Sequence, residues 1–227
     1  MPLALRALLL ILCVLWLAGC GRVPRLAPLS NDAVVLAFGD SLTYGTGAEA
    51  AESYPAILEQ LIRRKVVRAG VPGELSGEGL ARLSEALDQA QPQLLILCHG
   101  GNDLLRRTGE SAAEVNLRAM VRMAREHGIA VVLIAVPRPG LRLSPPDYYE
   151  KIAKDSQSPV ETSALADILG DNSLKSDLTH PNALGYRKLA QAVANLLKTA
   201  GAVQQAASAG AAAPRGRGFH RPRDRPD

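Results

Sequence analysis

From residue 33 to about residue 199, short apolar runs alternate with longer stretches of helical periodicity, and few architectures accommodate that repeat. Residues 33–38 form an apolar run ending in Gly39, the pattern of a buried strand, and residues 54–64 space Ile57, Leu58, Leu61 and Ile62 along one helical face. Residues 65–71 predict a second strand, and residues 80–90 a helix with Leu80, Leu83 and Leu87 turned inward. A third strand is expected over 93–99. The next helix is expected to be capped by Ser111 and to stop at His127-Gly128, where glycine suits a left-handed terminus. Residues 130–136 make the plainest strand and are stopped by Pro137. Beyond it the pattern weakens: 138–146 read as a loop, 148–155 as a helix, and 160–169 as a fifth strand or a strand leading into a turn. A clear amphipathic helix returns over 183–198, with Leu189, Val193, Leu196 and Leu197 inward. Such regular alternation implies right-handed crossovers and a parallel sheet covered on both faces. The expected fold is therefore α/β, a three-layer α/β/α sandwich with a parallel sheet of about five strands. Composition agrees, because 47% of residues are hydrophobic but only 4% aromatic. A core of Leu, Val, Ile and Ala suits buried parallel strands, and a stacking platform specific for nucleic acid is not expected.

The flanks divide from this domain by composition. Arg6 and the apolar run over residues 7–17 have the form of a signal peptide, and a run of about 11 residues is too short to cross a bilayer, which takes roughly 20. Leu17-Ala18-Gly19-Cys20 resembles the lipobox of bacterial lipoproteins, which implies removal of residues 1–19 and lipidation of Cys20. Gly21 after that cysteine, by the same resemblance, implies a cell-envelope location on the periplasmic face of the outer membrane. Residues 20–32 then form a tether, residues 33–200 the domain, and residues 201–227 a disordered tail rich in Ala, Arg and Pro. The tail holds much of the net charge of +4, since Arg215, Arg217, Arg221, Arg223 and Arg225 face only Asp224 and Asp227. The domain is close to neutral. With Cys13 removed and Cys20 lipidated, Cys98 is left as a lone thiol inside an apolar strand, the setting of a packed side chain rather than a reactive one.

Polar residues collect where a parallel sheet binds ligands, beyond the carboxyl ends of its strands. Asp40-Ser41 follows the first strand, Gly73 the second, and Asn102-Asp103 the third, within Gly100-Gly101-Asn102-Asp103. Asp177-Leu178-Thr179-His180 lies just before the last helix. A serine hydroxyl needs a base within hydrogen-bond reach to act as a nucleophile. Of the four histidines, His180 has the best claim. His127 terminates a helix, His99 sits at a strand end where it can simply be packed, and His220 is in the tail. Asp177 precedes His180 by three residues, about one turn if that segment is helical, and so reaches the imidazole to fix its tautomer. The N–H groups of Ser41 and Gly73 and the amide of Asn102 supply three candidate donors for an oxyanion.

These four ordered blocks, Gly39-Asp40-Ser41-Leu42-Thr43-Tyr44-Gly45, Ala69-Gly70-Val71-Pro72-Gly73, Gly100-Gly101-Asn102-Asp103 and Asp177-Leu178-Thr179-His180-Pro181-Asn182, resemble those of the SGNH, or GDSL, hydrolase family. The similarity is to its bacterial arylesterases and thioesterase/lysophospholipases. It extends over roughly residues 34–197 and includes Gly79-Leu80-Ala81-Arg82-Leu83. The resemblance implies a flavodoxin-like SGNH hydrolase fold, Ser41 as nucleophile, His180 as base, Asp177 as its orienting acid, and Ser41, Gly73 and Asn102 as the oxyanion hole. It implies no metal and no cofactor. The expected partner is a small ester or thioester, such as an aryl or short-acyl ester, an acyl thioester or a lysophospholipid, cleaved through an acyl-enzyme. A carbohydrate O-acetylesterase of the envelope and a non-catalytic membrane-tethered binding protein are the alternatives. No Gly-x-Ser-x-Gly elbow surrounds Ser41, which argues against the other large α/β hydrolase class. Arg68, Pro72 and Glu74 depart from the family pattern and are expected to bear on substrate fit, and Leu141 and Leu143 are candidates to line an acyl site. The oligomeric state is left open by the sequence.

Overall fold

A computed structural model describes residues 23–106 and 109–204. Five parallel strands form one sheet: β1 (Val34–Gly39), β2 (Lys65–Gly70), β3 (Leu94–Cys98), β4 (Ala130–Ile134) and β5 (Val160–Glu161), in the order β2-β1-β3-β4-β5. That order reverses direction between β1 and β3. Such a reversal opens a crevice at the carboxyl ends of the two strands. β1 and β3 are almost wholly buried and read as unbroken apolar runs, while the edge strand β2 exposes Lys65 and Arg68 and so blunts further pairing.

Eight α-helices connect and cover the strands among the described residues: α1 (Ser41–Tyr44), α2 (Tyr54–Ile62), α3 (Ser76–Ala90), α4 (Gly101–Arg106), α5 (Glu110–Glu126), α6 (Tyr148–Asp155), α7 (Ala164–Gly170) and α8 (Ala183–Ala200). Helices α2, α7 and α8 pack together on one side of the sheet, and α3, α5 and α6 on the other. The layers are those of an α/β/α sandwich. Burial follows the periodicity: Leu83 and Leu87 of α3 and Leu189, Val193 and Leu197 of α8 are shut off from solvent. Leu196, expected on the inner face of α8, is only partly buried at its edge.

Several boundaries differ from expectation for local reasons. Helix α3 begins at Ser76 rather than near Leu80, because the Asp103 carboxylate accepts the Ser76 N–H at 2.9 Å and its hydroxyl at 2.7 Å. A carboxylate there satisfies an otherwise unpaired helix donor. Ser111 does not cap α5; Gly109 holds that position, and Glu110 in the first turn pairs with Arg138. The segment expected as a fifth strand contributes only the two residues of β5 before α7 begins.

The segments expected to flank the domain are joined to it where they are described. Leu29 is buried, and the N–H groups of Leu26 and Leu29 donate to the carbonyls of Ala200 and Ala202. Ala202 and Val203 are buried in the same cluster, after the chain turns at the left-handed Gly201. The apolar side chains of both flanks close the amino-terminal end of the sheet. The signal segment, Cys20 and residues 205–227 lie outside the described residues.

Candidate active site

Gly39 closes β1 at a point where no side chain fits, since a Cβ there would lie 1.9 Å from the carbonyl oxygen of Cys98. The chain then turns immediately into α1. Asp40, almost fully buried, caps that helix by accepting the Leu42 N–H at 3.0 Å, so Ser41 is held in the first turn. Burial pushes the Asp40 carboxyl up, and the neighbouring His99 and the Leu42 N–H partly offset it.

Ser41 Oγ lies 3.0 Å from His180 Nε2, and His180 Nδ1 lies 2.8 Å from Asp177 Oδ2. The three side chains form one hydrogen-bonded line across residues 139 positions apart in sequence. The segment carrying His180 is not helical. Asp177 makes the turn itself: its Oδ1 accepts the N–H groups of Thr179 at 2.8 Å and His180 at 2.9 Å, which leaves Oδ2 for the imidazole. Burial raises the Asp177 carboxyl, but these donors and the imidazole outweigh it and hold the group down at about 2. The carboxylate is therefore ionised throughout the neutral and mildly acidic range.

Val71-Pro72-Gly73-Glu74 forms a tight turn closed by the Glu74 N–H on the Val71 carbonyl at 3.2 Å. Gly73 has φ +79°, the left-handed value that the third residue of a type II turn requires, after a proline that suits the second. Its carbonyl accepts from Arg106 at 3.0 Å. Asn102 lies in the first turn of α4 and directs its amide to the Glu74 carbonyl at 3.0 Å and, more weakly, to Asp40 Oδ2 at 3.4 Å.

Ser41, Gly73, Asn102 and His180 all border one cavity of about 230 Å³. Its remaining wall is mostly apolar, with Leu105, Val136, Leu143, Leu169 and Leu178 among the contributors. The departures from the family pattern divide here. Pro72 borders the cavity, but Arg68 does not: it donates to the Tyr44 carbonyl at 2.8 Å and stacks on the Tyr44 ring. Glu74 turns away as well, toward Arg82 and His99. Leu143 lines the cavity, whereas Leu141 is fully exposed and does not.

Three tyrosines that sequence reasoning passed over brace the loops around this site. Tyr54 Oη pairs with Thr43 Oγ1 at 3.1 Å, Tyr149 Oη donates to the His99 carbonyl at 2.7 Å, and Tyr186 Oη donates to the Thr46 carbonyl at 2.8 Å. Each is fully buried, and a buried phenol needs a partner, so an unassigned tyrosine in an apolar segment is the available signal. Cys98 is buried at the end of β3, where burial raises its thiol well above the ordinary range.

Comparison with known proteins places these features in context. The model of the GDSL-like lipase/acylhydrolase family matches residues 37–188. Esterase TesA of Pseudomonas aeruginosa is 31% identical over 130 residues, covering 55% of this chain and 65% of the relative. The thioesterase 1/protease 1/lysophospholipase L1 of Escherichia coli K12 is 31% identical over 156 residues, covering 65% of this chain and 75% of the relative. The match to the Pseudomonas esterase thus spans slightly less than two thirds of that protein. Among solved structures, a crystal structure of TesA superposes with a TM-score of 0.67 at 27% identity, covering 74% of this chain and 99% of its own.

Proposed function

The chain belongs to the GDSL-like lipase/acylhydrolase family, and from that premise we propose that it hydrolyses carboxylic esters and thioesters through an acyl-enzyme on Ser41. The observation that carries the reading is the unbroken line from Ser41 Oγ through His180 to Asp177, opening onto an apolar cavity. Ser41 Oγ–H donates to His180 Nε2, and the imidazole Nδ1–H donates to Asp177 Oδ2. That tautomer leaves Nε2 free to take the serine proton as the oxygen attacks the carbonyl carbon. The imidazolium formed faces an ionised carboxylate. It then returns the proton to the departing alcohol or thiol, and water repeats the sequence to release the acid.

The developing oxyanion meets the N–H groups of Ser41 and Gly73 and one N–H of Asn102. The type II turn supports this, because its central peptide N–H points outward. Asn102 keeps its short bond to Glu74, and the amide hydrogen in the long contact to Asp40 turns to the substrate. Each such donor is worth about 100- to 1,000-fold in rate. An apolar wall around a compact space favours short acyl or aryl groups over long chains.

Anchoring belongs to the same proposal. Lipidation at Cys20 leaves Gly21 and Arg22 between the anchor and Val23. From Leu26 onward the chain is fastened beside Pro92, Gln93 and Ile129, which precede β3 and β4. The serine is at the opposite, carboxyl end of the sheet, so the cavity turns away from the anchoring bilayer. Cys20→Ser is expected to release the protein from membranes; persistence in the membrane fraction would remove this anchor.

The activity is tested with wild type and Ser41→Ala on a panel of p-nitrophenyl esters, acyl thioesters, lysophospholipids and acetylated sugars. Turnover of short esters that disappears in Ser41→Ala is expected. Equal, negligible turnover in both would overturn the esterase reading.

A further inference from the structure

Beside the cavity, without lining it, the buried Glu74 and His99 form a cluster with the partly exposed Arg82. The Glu74 carboxylate accepts Arg82 Nε at 2.5 Å and Nη2 at 2.6 Å, and faces His99 Nε2 at 3.0 Å. The tautomer of His99 follows from its other nitrogen. Nδ1 receives the Gly100 N–H at 3.0 Å, so Nε2 carries the hydrogen donated to Glu74.

Each member of the cluster touches a strand end that supplies a candidate oxyanion donor. Glu74 is bonded to Gly73, and its carbonyl fixes the Asn102 amide. His99 begins the turn that leads through Gly100 and Gly101 to Asn102. Arg82 Nη2 also donates to the carbonyls of Gly39 and Ala69, both at 3.1 Å, while its guanidinium lies 3.9 Å from the Phe38 ring centroid. One fork thus joins the ends of β1 and β2, and one carboxylate joins both to the end of β3. Gly79 makes the approach possible, because a Cβ there would lie 2.3 Å from His99 Nε2. That explains the pairing of glycine and arginine in Gly79-Leu80-Ala81-Arg82.

We propose that Glu74 and His99, gripped by Arg82, are positioning residues that set the spacing of the three oxyanion donors. The proposal rests on the esterase reading of the site. A charged, bidentate contact with a buried carboxylate is well suited to the task, since it fixes direction as well as distance. Transition-state stabilisation depends steeply on that spacing, and a displacement near 1 Å costs about 100-fold.

The full chain is assayed on p-nitrophenyl acetate, and phenylboronic acid serves as a probe that forms a tetrahedral adduct with the serine. In Glu74→Gln, kcat is expected to fall about 10- to 100-fold, with KM within about twofold of wild type. Boronate affinity should weaken by the same factor as kcat/KM, because both read the tetrahedral geometry. The acid limb of the pH profile should not move, since His180 and Asp177 are untouched. His99→Leu should behave alike, and His99→Gln, which keeps a donor near Nε2, should recover most of the loss. Should Glu74→Gln fail to fold, the His99 pair carries the test alone, since Glu74 then keeps Arg82. Wild-type kcat in the His99→Leu protein would overturn the role. So would a loss confined to KM, or a loss of kcat with boronate affinity intact. A wild-type protein no faster than Ser41→Ala would remove the esterase reading and this role with it, and is distinguishable because wild type itself would then be silent.

Discussion

Replacing Asp177 by asparagine isolates what the carboxylate does for His180. The change is almost isosteric, and an asparagine Oδ1 still accepts the N–H groups of Thr179 and His180 that form the turn. The fold should therefore be kept, with the unfolding midpoint within about 3 °C of wild type, a shift worth about 1 kcal/mol in a domain of this size. What changes is the second oxygen. In its place an NH₂ group faces His180 Nδ1 at what is now a 2.8 Å contact. A donor there favours the tautomer that accepts at Nδ1, which puts the ring hydrogen on Nε2, pointing at Ser41 Oγ. The base is then in the wrong form. In a fully buried triad the same exchange costs about 10⁴-fold. The Asp177 side chain is 53% exposed, so water can reach the ring and restore some of the productive tautomer. The expected loss in kcat/KM is accordingly smaller, about 100- to 1,000-fold, or about 2.7–4 kcal/mol at 1.36 kcal/mol per decade. Steady-state hydrolysis of p-nitrophenyl acetate over pH 5 to 9, with thermal unfolding alongside, measures it. The deficit should persist across the profile. A variant within about threefold of wild type, with Ser41→Ala inactive in the same assay, would refute the role given to Asp177.

Other consequences are as direct. Gly39→Ala puts a methyl group 1.9 Å from a backbone carbonyl and 2.6 Å from Thr43 Oγ1, so β1 and β3 must separate. Overpacking of about 1–3 kcal/mol lowers the unfolding midpoint by about 2–12 °C; an unchanged midpoint would contradict the geometry. The Glu74 carboxyl sits at about 2, because Arg82 and His99 outweigh the burial that pushes it up. Its folded value lies below the unfolded one near 4.5, so its stabilisation is fully present above pH 4.5 and is lost as pH falls toward 2. Urea unfolding of Glu74→Gln should lack that share of the acid slope, and identical slopes in wild type and variant would show that the pairing does not stabilise the fold. Leu143→Trp fills part of the cavity and should suppress hexanoyl and longer esters more than acetate, as a chain-length series would reveal. A uniform loss across the series would place the acyl group elsewhere.

The central strands were plain in the sequence because burial on both faces leaves unbroken apolar runs, as in β1 and β3. Short helices were not. α1 and α4 span four and six residues, too few for a periodic pattern, and their starts follow from Asp40 as a cap and from the strand ends they adjoin. The start of α3 escaped for a different reason: the carboxylate that secures Ser76 belongs to Asp103, 27 positions away. The meeting of Ser41, Gly73, Asn102 and His180 around one cavity, with Asp177 behind the imidazole, was legible, because each lies at a strand end or beside the last helix. Their supports were harder to read. Glu74 looked like a substrate-facing departure, and only the proximity of Arg82 and His99 shows where its charge is satisfied. Leu141 and Leu143 were equivalent in sequence, but the loop turns one out to solvent and the other to the cavity.

The central claim, that Ser41 takes up the acyl group, is tested most directly by intact mass and peptide mapping after reaction with a fluorophosphonate. One adduct per chain, located on Ser41, lost in Ser41→Ala and slowed in His180→Ala, is the result the account requires. Adduct formation on another residue, or at an equal rate in Ser41→Ala, would contradict it.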